Sequence, residues 1–290
     1  MKKRERGEAK KRINGEGGGG GRFWHVTDFH YDNTYFTSQL SCNDDVPSPG
    51  PYGDYWCDSP WRLVQSTVDF MADKTKELGV DFAIWTGDTV AHISDDDTTL
   101  SENIAILRKV TELLENALPG IPVYASLGNH DFYPSDQAET NVSEIYTKVG
   151  DMWKDWIKSQ SMVERFEDGG FYSVLVPNAT SLRVLALNTN LYFTSNDLTA
   201  AVADPAGQFA WMEQQLQNAR ATNEKVMVTG HVPAAPLTRG LVNWFYPAHK
   251  TRFVDILTSY HDVIVATHFG HDHQDGFKLI QNTDGNNMDR

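Results

Sequence analysis

The sequence predicts an α/β fold, and three observations predict it. Short apolar runs alternate with amphipathic stretches from Arg22 onward, the rhythm of strands joined by helices. The side chains able to bind ions or move protons stand directly after the apolar runs, where α/β sheets present their ligand sites. The 290 residues can bury a substantial core, as one domain or two. No internal repeat divides them, so residues 22–290 read as one domain.

The elements follow in order. Phe23 to Thr27 reads as a buried strand. Residues 61–78 place Val64, Thr67, Val68, Met71, Thr75 and Leu78 on one helical face, and Gly79 stops the helix. Val80 to Thr86 is a strand, 101–117 a helix and Pro122 to Leu127 a strand. A helix follows at 143–158, then strands near 171–176 and 182–188. Residues 207–220 form a helix with Phe209, Met212 and Leu216 on one side. Val226 to Thr229 and Val263 to Ala266 are strands around a helix at 248–259, and Phe277 to Ile280 reads as a last strand.

Composition narrows the function. Hydrophobic content of 40% with 22% charged residues is that of a soluble globular protein. The net charge of −14 argues against a nucleic-acid scaffold, which would show a basic face. Residues 1–21 combine a basic run with Gly17 to Gly21 and read as a disordered leader. No apolar run is long enough for a transmembrane helix, and no signal-peptide core is present. Taken literally, the chain is not secreted. Other features point outward. Cys42 and Cys57, the only two cysteines, close a loop crowded with Pro47, Pro49, Gly50, Pro51 and Gly53, and predict a disulfide staple. Neither lies in a C-x-x-C pattern, so a thiolate zinc site is not expected. Asn141-Val142-Ser143 and Asn178-Ala179-Thr180 are glycosylation sequons. A secreted ancestor, with the true N-terminus missing or replaced, reconciles the two sets.

Five segments carry chemistry: Asp28-Phe29-His30, Gly87-Asp88, Gly128-Asn129-His130-Asp131, Gly230-His231 and Gly270-His271-Asp272-His273. The last four place a glycine before the loaded residue, which permits a sharp turn and a close approach to an ion. In D-x-H and H-x-H the side chains share a direction if the backbone is extended. Asp88 has two oxygens with which to bridge a metal pair, Asn129 a neutral carbonyl and His231 an imidazole. Imidazole and carboxylate without thiolate suit Zn, Mn or Fe. Two ions about 3.5–4 Å apart would hold a bridging hydroxide and clamp phosphoryl oxygens. An acidic protein could bind a phosphate ester in this way.

This set resembles the calcineurin-like metallophosphoesterases, whose pattern is D-x-H, G-D, G-N-H-[DE], G-H and G-H-x-H. A narrower likeness covers residues 23–280. Phe23 to Asp32, Ile84 to Asp88, Leu127 to Asp131, Asn188 to Tyr192 and Phe269 to His273 are similar to segments of the acid sphingomyelinase-like phosphodiesterases. The resemblance implies a four-layer sandwich of two β-sheets flanked by helices, a zinc pair, and an extracellular or lysosomal home. It assigns Asp28, His30, Asp88 and His273 to one zinc, and Asp88, Asn129, His231 and His271 to the other. His130 and His92 would contact the phosphate and leaving group. Relatives also carry a signal peptide and a C-terminal helical region, whereas this chain ends at Met288-Asp289-Arg290.

The expected activity is hydrolysis of phosphodiester or phosphoanhydride bonds by a metal-bridging hydroxide. His130, helped by His92, protonates the departing oxygen. The substrate is a small phosphodiester, a nucleotide or a phospholipid headgroup, and the chain acts as a monomer. Two alternatives stay open: a phosphomonoesterase or phosphoprotein phosphatase, and a truncated binding or regulatory isoform. Other residues read as structural. His25 and His268 lie within strands, and His249 and His261 in helix or loop. Trp24, Trp85, Trp153, Trp156 and Trp211 read as core, and Asp95-Asp96-Asp97 as a solvated loop. Tyr192 and Trp244 are placed where they could border a pocket.

Overall fold

The computed structural model describes residues 21–42, 49–177, 179, 181–235 and 243–280. Among the described residues, seven strands form two sheets. β1 (Phe23–Val26), β2 (Phe82–Trp85) and β3 (Val123–Ala125) lie parallel in that order. The second sheet has the order β4 (Tyr172–Leu175), β5 (Leu182–Ala186), β6 (Lys225–Thr229), β7 (Ile264–His268). Only its first pair is antiparallel, so β5, β6 and β7 share a direction.

Side-chain alternation along the strands assigns each face. Phe82 and Ile84 of β2 and Tyr124 of β3 turn inward to meet Val184 of β5 and Met227 of β6, a core trapped between the sheets. The intervening residues Ala83, Trp85, Val123 and Ala125 face the helices α1 (Trp61–Leu78), α2 (Leu100–Ala117) and α3 (Glu144–Ile157). On the far side, Leu185, Val226 and Val228 pack with Phe209, Met212 and Leu216 of α5 (Gln208–Ala221) and with Phe253 and Ile256 of α6 (Pro247–Ser259). The result is helix, sheet, sheet, helix, the four layers expected.

Helix boundaries at α1, α2, α3, α5 and α6 agree with the sequence to within a residue at each end. One helix is unforeseen, α4 (Gln160–Gly169). No glycine or proline separates it from α3; instead Lys158 takes a left-handed φ of 61° and breaks the run. The two helices fold back on each other, with Gly150 close to Phe166 and Glu167. Phe277 to Ile280 is not a strand: it is irregular, and Phe277 and Leu279 are exposed. An apolar run that short cannot by itself distinguish a strand from an exposed segment. No helix among the described residues is long and apolar enough to cross a membrane.

Candidate metal centre

Because β1, β2 and β3 run one way, the segments that follow them emerge along one edge. β6 and β7 bring Gly230-His231 and Gly270-His271 to the same region. Pairing continues past the strands as single bonds. Asp28 N–H donates to Gly87 O at 2.9 Å, His30 N–H to Asp88 O at 3.0 Å, and Gly270 N–H to His231 O at 2.9 Å. The two sheets are also tied across the site. His231 Nδ1 lies 2.7 Å from Thr86 O, and His271 N–H faces both oxygens of Asp28 at 3.1 and 3.2 Å.

Asp28, His30, Asp88 and His273 converge into one group of potential ligands, and Asp88, His231 and His271 into a second. His30 Nε2 is 3.0 Å from His273 Nε2, 3.8 Å from Asp28 Oδ1 and 3.5 Å from Asp88 Oδ2. His273 Nε2 is 3.3 Å from Asp28 Oδ1. In the second group Asp88 Oδ2 is 3.1 Å from His231 Nε2, and Asn129 Oδ1 is 2.9 Å from both His231 Nε2 and His271 Nδ1. Tetrahedral zinc with bonds of about 2.0–2.1 Å needs ligand atoms roughly 3.3 Å apart. The spacings and the nitrogen–oxygen donor set both fit, and Asp88 stands in both groups.

The convergence does not come from strand alternation, as the D-x-H and H-x-H spacings suggested. Asp28, His30, Asp88, His271 and His273 all take left-handed φ values, 53°, 40°, 52°, 73° and 49°. Such backbone costs of order 1–3 kcal/mol per residue and gathers at functional sites. Aspartate and histidine tolerate it better than branched residues do. Gly87 precedes Asp88 with φ 84°, a turn no other residue makes easily.

Outer contacts fix the side chains. His30 Nδ1 faces Val90 O at 2.9 Å. Thr27 Oγ1–H donates to Asp28 Oδ2 at 2.6 Å, and His130 N–H to Asp88 Oδ1 at 2.9 Å. Asn129 Nδ2–H donates to Asp136 Oδ1 at 2.8 Å, which turns its carbonyl oxygen toward the histidines. Buried Asp131 accepts from Thr89 N–H and Gly128 N–H, both at 2.8 Å. It is a strut between two loops; burial and neighbouring Asp88 push its carboxyl up to about 6. Trp244 donates its indole N–H to Asp272 at 2.9 Å and stands edge-on to His271 at 4.5 Å, beside the site as expected. Tyr192 does not border the site. It is fully buried and stacked on Phe209. Asn188 and Asn190, also buried, hold backbone carbonyls, including Leu127 O at 2.8 Å from Asn190 Nδ2.

His92 and His130 reach the same place. The His92 ring stacks on His30 at 4.0 Å and meets His130 at 4.3 Å. His92 also joins His30 and His273 in a third potential ligand group. Burial pushes the His130 imidazole down to about 4, against the pull of Asp88. The sequence did not single out Asp58, whose carboxylate holds His92 Nδ1 at 3.0 Å. Asp58 adjoins the Cys42–Cys57 disulfide, which is formed with the Cα atoms 4.0 Å apart. Asn141 is exposed, and Asn178 lies outside the described residues.

The chain is similar to several known proteins. The chain is 36% identical over 274 residues to acid sphingomyelinase-like phosphodiesterase 3b of Homo sapiens, covering 91% of this chain and 60% of the relative. It is 35% identical to cyclic GMP-AMP phosphodiesterase SMPDL3A of Bos taurus, over 93% of this chain and 61% of that protein. Sphingomyelinase phosphodiesterase C of Dictyostelium discoideum is 30% identical, over 90% and 59%. The chain thus spans about three fifths of the length of these relatives. A crystal structure of a dimetal phosphatase from Danio rerio superposes with a TM-score of 0.54 at 14% identity, over 91% of this chain and 84% of that one, a likeness of fold. The family model for calcineurin-like phosphoesterases matches residues 21–275, so this chain belongs to the calcineurin-like phosphoesterase family.

Proposed function

We propose that the chain is a dimetal phosphodiesterase, with zinc as its metal and a diester or phosphoanhydride as its substrate. The observation that carries this reading is the position of Asp88. One carboxylate oxygen faces His30 at 3.5 Å and His231 at 3.1 Å, between two groups of ligands. Among the described residues, the four ion pairs at Asp28 and Asp88 run to histidines. Bound ions would supply positive charge for an anionic substrate there. Asp28, His30, Asp88 and His273 would hold one, and Asp88, Asn129, His231 and His271 the other. When bound, the ions supply Lewis acidity for the attacking water and offset charge on the phosphoryl oxygens.

The chain's own residues orient and move protons. Thr27, Val90 O and Thr86 O fix the ligand side chains by the contacts given above, and such outer contacts are commonly worth 10–100-fold in metal affinity. His130 is carried in by the turn that places Asn129, and His92 stands beside it. The pair is set to deliver the proton that the leaving oxygen needs. The names of the relatives suggest two substrate types, a sphingomyelin headgroup and a cyclic dinucleotide. The disulfide and the exposed Asn141 sequon support a secreted or lysosomal glycoprotein, and we take residues 22–290 as the catalytic domain of a monomer.

The test is a panel on zinc-reconstituted protein: a nitrophenyl diester, cyclic GMP-AMP, sphingomyelin, CDP-choline, a nucleoside triphosphate and a nitrophenyl monoester. About two zinc ions per chain and turnover of diesters or anhydrides are expected. Full metal with turnover of the monoester alone would replace this reading by a phosphomonoesterase. Full metal with no turnover would favour a binding role.

A further inference from the structure

The carboxylate of Asp58 and the imidazole of His92 form a pair that none of the family's ligand motifs contains. His92 Nδ1 lies 3.0 and 3.1 Å from the two Asp58 oxygens, and the His92 backbone N–H donates to Oδ2 at 2.5 Å. A carboxylate only accepts, so Nδ1 carries the proton of this bond. Nε2 is then the ring atom left to exchange a proton with a substrate. The side chain of His92 is 42% exposed, whereas that of Asp58 is 16% exposed. The ring is also fixed in plane, stacked on His30 at an interplanar angle of 24°.

Asp58 is itself braced. Its N–H donates to Ser41 Oγ at 3.2 Å, and Ser41 Oγ–H donates to Asp32 Oδ2 at 2.6 Å. Ser41 and Asp58 are the outer neighbours of Cys42 and Cys57, so the disulfide closes the loop directly beside this bond. Ser59 N–H donates to His30 O, and Asp32 N–H to Ser59 O, both at 2.9 Å. The segment bearing Asp58 is therefore laced to the segment bearing His30.

We propose that Asp58 is the positioning residue of His92: it fixes the tautomer and the plane of the ring so that Nε2 is presented to the leaving group. This deepens the phosphodiesterase reading and rests on it. With the ring cationic, Nδ1–H is held by Asp58 and Nε2–H faces the leaving group. As the oxygen of the attacking water bonds to phosphorus and the phosphorus–oxygen bond breaks, the electron pair stays on the leaving oxygen, which takes the proton from Nε2 and leaves the ring neutral. Nδ1 keeps its own proton on Asp58. An orienting carboxylate behind a working histidine is the logic of the catalytic triad.

The experiment compares wild type, Asp58→Ala, His92→Ala and the double variant, all zinc-reconstituted. Two diesters are used, one with an alkyl and one with a nitrophenolate leaving group. A positioned general acid contributes about 10²–10⁴-fold. Asp58→Ala should therefore slow the alkyl diester about 10- to 100-fold and barely change the nitrophenyl one, with zinc content intact. The double variant should be no slower than His92→Ala. Full additivity of the two losses, equal slowing of both diesters, or zinc loss in His92→Ala would each overturn the proposal. If Asp58→Ala does not fold, Asp58→Asn replaces it. Nitrogen-15 NMR of the His92 ring gives a readout independent of turnover. A proton on Nδ1 in the wild type, with a mixed tautomer in Asp58→Asn, is expected; a proton on Nε2 alone in the wild type refutes the pairing. A wild type with full zinc and no diester turnover would sink the phosphodiesterase reading, while the NMR result still decides the Asp58–His92 bond.

Discussion

Gly270 offers a test of the metal centre that replaces no ligand residue. A Cβ placed there would overlap Thr27 Oγ1 and lie 2.6 Å from Asp28 Oδ2 and 3.2 Å from His231 Nδ1. Its φ is outside the left-handed region, so alanine would suffer from the contact alone. To reach ordinary contact, the Asp28 oxygen must shift by about 0.8 Å and the Thr27 oxygen by more than about 1 Å, a scale on which misplacement costs up to about 10²-fold in a positioned site. The same shift pulls Asp28 away from His271 N–H, 3.1 Å distant, and so loosens the tie between the two sheets. Gly270→Ala should weaken zinc about 10–100-fold, the usual loss when outer contacts of a metal site fail, and cost about 1–3 kcal/mol in overpacking. Gly120→Ala is the control. It meets nothing within 4 Å but sits at φ 78°, so it should cost about 1–2 kcal/mol through backbone strain and keep all its metal. Elemental analysis after dialysis against buffered zinc, with thermal unfolding on the same samples, reads both quantities. Gly270→Ala with wild-type zinc affinity, or Gly120→Ala with reduced affinity, would refute the steric argument.

Three further outcomes are expected. Asp88→Asn should leave less than one zinc per chain by elemental analysis, because its carboxylate faces both ligand groups; loss of a single ion would show that it does not bridge. Asn190→Ala strips a buried donor from Leu127 O and should destabilise by about 1–3 kcal/mol in denaturant titration, with zinc affinity falling as the Asn129 turn loosens. His130→Ala should keep its metal and slow an alkyl diester far more than a nitrophenyl one; equal slowing, or metal loss, would make His130 a phosphate-binding group or a ligand.

The ligand residues were legible in the sequence because chemistry is written in side-chain type. Histidine, aspartate and asparagine after apolar runs, with glycine before them, have few other uses in such order. The four layers were expected from the family resemblance alone: β2 is buried on both faces, and which face meets the other sheet appears only in the packing. What stayed hidden lies in long-range bonds and in backbone angles. Asp58 reads as one more acidic loop residue, since its partner His92 is 34 positions away and no motif joins them. Asn188 and Asn190 look like polar site residues but are buried carbonyl holders. The break between α3 and α4 rests on Lys158 in a left-handed conformation that its residue type does not advertise.

The left-handed turns at Asp28, His30, Asp88, His271 and His273 extend that point to mechanism. Each is individually unfavourable, yet Asp28 and His30 are pinned by N–H bonds to Gly87 O and Asp88 O, and His271 by a bond to the Asp28 carboxylate. These bonds hold Asp28, His30 and His271 in their left-handed turns. The positions of these side chains are therefore tied to one another through bonds between the loops. Gly270, with no polar side chain of its own, packs against Thr27, Asp28 and His231 within this set of bonds, so its substitution should reach metal affinity through them.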